Sequence, residues 1–277
     1  MAAVRTCQSV PVTSADVAVI GGSGFYSFLD DARSVPVETP YGEPSAPVTL
    51  GEVSGRRVAF LPRHGERHAF PPHLVNYRAN LWALRSLGVR QVLAPCAVGG
   101  LRPDVAPGDV VVPDQLVDRT TGRAQSYVES GAVHVPFADP YCGRLAETAG
   151  RQPGIKTGGT MVVVQGPRFS TRAESQHYAA QGWSLINMTG HPEAVLAREL
   201  QMCYLSIALV TDMDAGVESG EGVGQEEVFA MFARNVERLK VLLAALIGEL
   251  PDPAGCTCAT WADGLDLTYE VPGGRTG

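Results

Sequence analysis

The 277-residue sequence contains no uninterrupted apolar run long enough to cross a bilayer, and its opening, MAAVRTCQSV, lacks the compact apolar segment of a secretory signal. Both absences point to a cytoplasmic protein with no membrane partner. Lysine is scarce: Lys156 and Lys240 are the only two, and the net charge is −7 with no basic tail or arginine stripe. A nucleic-acid partner is therefore not expected, because nothing supplies the continuous positive footprint that a phosphate backbone demands. The six cysteines (Cys7, Cys96, Cys142, Cys203, Cys256 and Cys258) are too scattered to describe a disulfide framework or a zinc ribbon. Cys256 and Cys258 stand too close for easy disulfide geometry, and reduced thiols are the simplest reading. Internal repeats and low-complexity linkers are missing as well.

What is present is a chain that is 45% hydrophobic, enough to bury a full core in one large domain. Apolar runs of strand length alternate with amphipathic runs of helix length, the signature of an α/β sheet covered by helices. Strands are expected at 16–20, 57–62, 91–95, 109–115, 159–165, 184–187 and 202–210, and helices at 73–88, 139–150, 171–182, 192–200 and 225–250. Thr171 and Glu174 have capping-box spacing, Pro192 suits a first helical turn, and Gly88 and Gly182 suit helix stops. The expected organisation is an N-terminal tail (1–15), one domain (16–250) and a Gly/Pro-rich tail (251–277). That last tail carries Trp261, Leu265, Leu267 and Tyr269 to pack on the domain or on a neighbouring subunit.

Four polar loops follow predicted strands. In GGSGFY (21–26) the glycines let backbone amides face an anion and Ser23 adds a hydroxyl, although a tight turn alone would also explain it. A dinucleotide fingerprint would need glycine in place of Ser27, and a Walker loop would need a lysine that is absent. In LPRHGERH, Arg63 and His64 offer donors suited to phosphate at a strand end. His64 and His68 are four apart, but the surrounding prolines and Gly65 argue against a helix there, so no metal is expected. In QGPRFSTRAES, Ser170 lies beside a helix N-terminus that favours anions, or serves only as its cap. INMTGHPE repeats that logic with Thr189. In an open α/β sheet such loops converge on one crevice.

The stretch SIALVTDMDAG ends a buried strand with two acids. Period-two alternation sends Asp212 and Asp214 to one side, where they can share a ligand and raise each other's proton affinity. A carboxyl so raised can hand a proton to a leaving ring nitrogen, while a cap on the turn that follows is the plainer alternative.

GGSG, RHG, HLVNYRANLWAL, PGDVVVPDQLVDRTTGR, GPRFSTRAES, NMTGHPEAVLAREL and TDMDAG, in this order and spacing from about 17 to 250, resemble the 5′-methylthioadenosine phosphorylases of the trimeric purine nucleoside phosphorylase family. The resemblance implies a single α/β domain with a central mixed, partly barrel-like β-sheet surrounded by helices. It also implies a homotrimer that cleaves a purine nucleoside with inorganic phosphate and uses neither metal nor organic cofactor. It places Ser23, Arg63, His64, Cys96, Ala97, Ser170 and Thr189 around phosphate. Phe169, Met188 and Met213 would line base and ribose, with Asp212 facing the adenine edge and Asp214 in support. Gln225, Val228 and Phe229 would define the 5′ end, joined by His134 from a neighbouring subunit. Three departures stand out: Ser23 replaces a commoner threonine and keeps the hydroxyl, Cys96 occupies a position where a threonine often binds phosphate, and Gln225 one where a small apolar residue meets the 5′-thiomethyl group. A polar amide there suits adenosine as well.

Overall fold

The computed structural model describes residues 14–215 and 224–274. In chain order the strands are β1 (Val17–Gly21), β2 (Arg33–Val35), β3 (Val48–Val53), β4 (Arg56–Pro62), β5 (Gln91–Gly100), β6 (Val110–Val112), β7 (Gln115–Arg119), β8 (Ile155–Thr157), β9 (Thr160–Val164), β10 (Leu185–Asn187) and β11 (Cys203–Met213). The helices are α1 (Tyr77–Ser86), α2 (Gly143–Gly150), α3 (Arg172–Ala180), α4 (Gly190–Glu199), α5 (Gln225–Glu249) and the short α6 (Thr257–Thr260).

All eleven strands join one mixed sheet, ordered β2-β3-β4-β1-β5-β10-β9-β7, with β11, β6 and β8 branching from β5. The branch point decides where a ligand can sit. One edge of β5 carries β11 in parallel along its whole length, from Gln91 to Gly100. The other edge serves two neighbours in turn: β1 pairs in parallel with Gln91–Leu93, and β10 pairs antiparallel with Gly99 and Gly100. Residues 94–98 are left uncovered on that side. Because β1, β4, β5 and β11 are mutually parallel, their C-terminal ends emerge together, while β10 runs the opposite way and returns its own C-terminal end to the same gap. Strand-end loops meeting at a break in strand order make the usual crevice of such sheets.

Two predicted strands change length for reasons of proline chemistry. The run 109–115 is divided into β6 and β7 at Pro113, which cannot donate to a ladder. By contrast β5 continues through Pro95, whose carbonyl faces the Arg63 guanidinium on the edge that β1 has already left. The missing N–H there costs no ladder bond. Strands β2, β3 and β8 were not expected; the first and last are three residues long, and β3 carries a glycine and a glutamate among its six.

Local signals account for the helices. Asn76 caps α1 by accepting from the Ala79 amide, and Thr171 and Glu174 form a complete capping box on α3. In α4, His191 is extended (φ −119°, ψ 133°), so the regular turns begin at Pro192. Helix α5 buries Phe232, Leu239, Leu242, Leu243, Leu246 and Ile247, a stripe at three- and four-residue spacing. The C-terminal segment lies on α1 and α4 of its own chain. Trp261 Nε1 donates to the Arg198 carbonyl at 2.8 Å, Tyr269 Oη to the Glu199 carbonyl at 2.7 Å, and the buried Arg85 reaches the Gly274 carbonyl at 2.6 Å.

Candidate active site

A cavity of about 310 Å³ opens over the uncovered part of β5 and collects the ends of β1, β4, β10 and β11 together with the start of α5. Its lining includes Ser23, Arg63, His64, Cys96, Ala97, Phe169, Ser170, Met188, Thr189, Asp212, Asp214, Gln225, Val228 and Phe229. Of the residues predicted for the site, two are not there. Met213 packs against Gly100, since period-two alternation turns it away from its acidic neighbours. His134 is exposed and lies outside this chain's cavity.

At one end, Arg63 is held rather than free. Its side chain is 1% exposed and forms a bidentate pair with the equally buried Glu193, Nε to Oε1 at 2.7 Å and Nη2 to Oε2 at 2.8 Å. Glu193 also accepts from Tyr204 Oη at 2.8 Å. Burial acts against the charged guanidinium, but the Glu193 carboxylate outweighs it and holds the arginine charged. Nη1 donates to the Pro95 carbonyl at 3.3 Å and has a second hydrogen left for the cavity. Gly22 is what admits this arrangement: a Cβ there would stand 2.9 Å from the Pro95 oxygen and 3.1 Å from Arg63 Nη1.

His64 differs from expectation. Its Nδ1 lies 2.8 Å from the Phe70 carbonyl, and because a carbonyl can only accept, that nitrogen carries the proton. Burial, with the Arg63 charge beside it, lowers the imidazole pKa to about 3. His64 is therefore neutral, and Nε2 is an acceptor, not the second donor anticipated. Its ring stacks on His68 at 4.3 Å and 15°, face to face, an arrangement unsuited to a shared metal. His68 in turn meets Phe229 edge-on at 5.7 Å, and burial lowers its pKa too.

Asn187 organises the same end. Its Oδ1 accepts from the amides of Thr189 (2.7 Å) and Gly190 (2.6 Å), and its Nδ2 donates to the Ala97 carbonyl at 3.2 Å. Thr189 stands at the N-cap of α4 without a side-chain cap bond, and its hydroxyl donates to Asn187 Oδ1 at 3.3 Å beside the positive end of the helix. Cys96 Sγ lies 3.4 Å from Ser206 Oγ, and burial raises its pKa, so at neutral pH it is a thiol and adds no charge.

At the other end the two carboxylates meet over Gly99. A β-bulge between Val210 and Asp212 makes Thr211 an extra residue, so that Asp212 pairs with Gly99 and Met213 with Gly100. Thr211 then shares the cavity side with Asp212, breaking the expected alternation, and its Oγ1 lies 2.7 Å from Asp212 Oδ1. A Cβ on Gly99 would stand 3.2 Å from Asp212 Oδ2 and 3.3 Å from Asp214 Cβ. Burial pushes the Asp212 pKa up to about 6, with Asp214 and Glu227 adding to the rise and the Thr211 hydroxyl opposing it. Burial raises Asp214 as well, opposed by the Ser175 hydroxyl at 2.5 Å and by Ser170. Ser170 thus belongs to the carboxylate end rather than to the anion group where the resemblance put it. The reason is that the loop after β9 feeds α3, whose first turns lie over Asp214; Thr171, not Ser170, is the helix cap.

Arg123 ties the walls together by donating to the carbonyls of Met188 (2.9 Å), His191 (2.6 Å) and Gln165 (2.8 Å). Met188, which lines the cavity, therefore has its carbonyl already engaged. Sequence reasoning missed Arg123, Ser175, Asn187, Thr211 and Glu193 as parts of the site. Only Glu193 left a usable signal, an acid one residue into a predicted helix, and dipole compensation explains such an acid equally well.

The chain matches the family model described as the phosphorylase superfamily over residues 16–248. It is 61% identical over 255 residues to the S-methyl-5′-thioadenosine phosphorylase of Mycolicibacterium smegmatis, covering 92% of this chain and 98% of that one. It is 57% identical over 274 residues to the purine nucleoside phosphorylase of Streptomyces coelicolor, covering 93% and 98%. Among solved structures, the methylthioadenosine phosphorylase from Schistosoma mansoni in complex with adenine superposes with a TM-score of 0.79 at 37% identity, covering 85% of this chain and 92% of that one.

The raised pKa of Asp212 has a measurable effect on stability. The folded chain binds this proton more tightly than an ordinary carboxyl at about 3.9 does. Its destabilising contribution is thus absent below that pH and complete above about 6. Asp212→Asn is expected to raise Tm relative to wild type by roughly 5–10 °C at pH 8, and by much less at pH 4.5, in parallel thermal melts.

Proposed function

The chain belongs to the phosphorylase superfamily, and we propose that within it this protein cleaves 5′-methylthioadenosine with inorganic phosphate, releasing adenine and 5-methylthioribose 1-phosphate. The observation that carries this reading is a single cavity with anion-binding donors at one end and two carboxylates of raised pKa at the other. Its volume lies within the ~300–1,000 Å³ typical of small-molecule sites, which suits a nucleoside and an anion.

In this mechanism phosphate sits against Ser23, Ala97, the Thr189 hydroxyl at the start of α4 and the spare hydrogen of Arg63 Nη1. The His64 Nε2 lone pair accepts from a protonated phosphate oxygen, which favours the hydrogen phosphate ion. Adenine lies between Phe169 and Met188 with its polar edge on Asp212. As the glycosidic bond loosens and the sugar gains oxocarbenium character, negative charge builds on the ring nitrogens of the base. Asp212, near neutrality, supplies the proton that neutralises it, while Asp214, Thr211 and Ser170 hold its geometry. The fixed phosphate then attacks C1′ from the opposite side. Positioning and preorganised dipoles supply most of the rate gain, and neither metal nor organic cofactor enters the reaction. The proposal includes a cytoplasmic homotrimer in which His134 serves the 5′ end of a neighbouring subunit's cavity.

A second reading, in which adenosine is also a substrate, rests on Gln225. It occupies the first position of α5 and lines the cavity with Val228 and Phe229. An amide there can hydrogen-bond a 5′-hydroxyl that an aliphatic residue would leave unpaired.

Adenine release from methylthioadenosine is expected to depend on phosphate and to yield the sugar phosphate; equal release in phosphate-free buffer would replace phosphorolysis by hydrolysis. Gln225→Val is expected to raise the kcat/KM ratio of methylthioadenosine to adenosine by roughly tenfold. An unchanged ratio removes Gln225 from the 5′ pocket.

A further inference from the structure

Outside the cavity, four of the cysteines that look scattered in sequence come together. Cys142 at the N-cap of α2, Cys203 at the start of β11, and Cys256 and Cys258 around α6 are all buried, and their Sγ atoms lie within 4.8 Å of one another. The Cys142 and Cys256 sulfurs are 3.7 Å apart. Zinc bound tetrahedrally by thiolates at ~2.3 Å sets its sulfurs about 3.8 Å from each other, so this cluster already has nearly the spacing of a ligand set. Disulfides would instead divide the four sulfurs into two pairs, each drawn in to about 2.05 Å.

From this convergence we propose that Cys142, Cys203, Cys256 and Cys258 form a tetrathiolate site for a divalent zinc-type cation. Four soft sulfur ligands with no carboxylate or imidazole among them select zinc over magnesium or calcium. On binding, each thiol gives up its proton to solvent, four in all, and the complex carries two net negative charges. The first-turn amides of α2, beside Cys142, offset part of that charge. The backbone preorganises two of the contributing segments: the Cys142 amide donates to the Tyr204 carbonyl at 2.9 Å, which fixes the start of α2 against β11. The third segment is the C-terminal tail, which the metal would pin to the domain from three sides. None of the four cysteines lines the substrate cavity, so the site is structural and independent of the reaction proposed above.

The test uses zinc itself on the full-length protein. After incubation with zinc and exhaustive dialysis, wild type is expected to retain about one zinc per chain, and cobalt substitution is expected to give thiolate-to-cobalt charge-transfer bands with tetrahedral d–d absorption. Cys256→Ser is expected to lose most of the bound metal and to melt at lower temperature while keeping its phosphorolytic kcat. Should that variant fail to fold, the metal content and cobalt spectrum of wild type still decide. Wild type that retains no zinc, whether its four thiols are free or paired as disulfides by mass spectrometry, overturns the proposal.

Discussion

The fold turns on how the two edges of β5 are shared. One edge is covered by β11 throughout, and the other is handed from β1 to β10 with residues 94–98 left between them. That gap is the floor of the cavity. The lining side chains reach it from strand ends and the loops beyond them, from the middle of β5 itself and from the start of α5, and the sheet holds the strand ends in register. Strand β11 then adds its own adjustment, the bulge at Thr211, which turns the hydroxyl and the Asp212 carboxylate to the same side. Glycine at position 99 supplies the room, because any side chain there would fill the space that both acids occupy.

The electrostatics of the two ends are opposite in sign and restrained in magnitude. The Arg63 charge is compensated by Glu193 in a pair that packs Tyr204 against it, and removing one member of such a buried pair commonly costs about 3–5 kcal/mol. With that charge compensated, the proposed anion end has hydroxyls, helix amides and the last arginine hydrogen to offer as donors, and a lone pair from His64. At the base end, burial raises the pKa of both carboxyls, that of Asp212 to about 6.

Much of this was legible in the sequence. Alternating apolar periods revealed the major strands and helices, and the four polar loops and the TDMD step named most of the cavity lining. Partner choice was not legible. Glu193 and Arg63 are 130 positions apart, and nothing local to either residue says that they meet. Ser175 reads as an ordinary helix position until α3 is laid over Asp214, and the bulge at Thr211 breaks the period-two rule on which its reading rested. The cysteines make the same point: spacing along the chain excluded a zinc ribbon but could not foresee that three distant segments would converge.

The central claim is that Asp212 reads the base and delivers its proton. The most direct measurement is the ratio of kcat/KM for 6-aminopurine and 6-oxopurine nucleosides in wild type and Asp212→Asn, at saturating phosphate. An asparagine amide can donate to a 6-oxo group as a carboxylate cannot, so the account predicts a shift of roughly tenfold or more toward 6-oxopurines. A ratio unchanged by the substitution would contradict it.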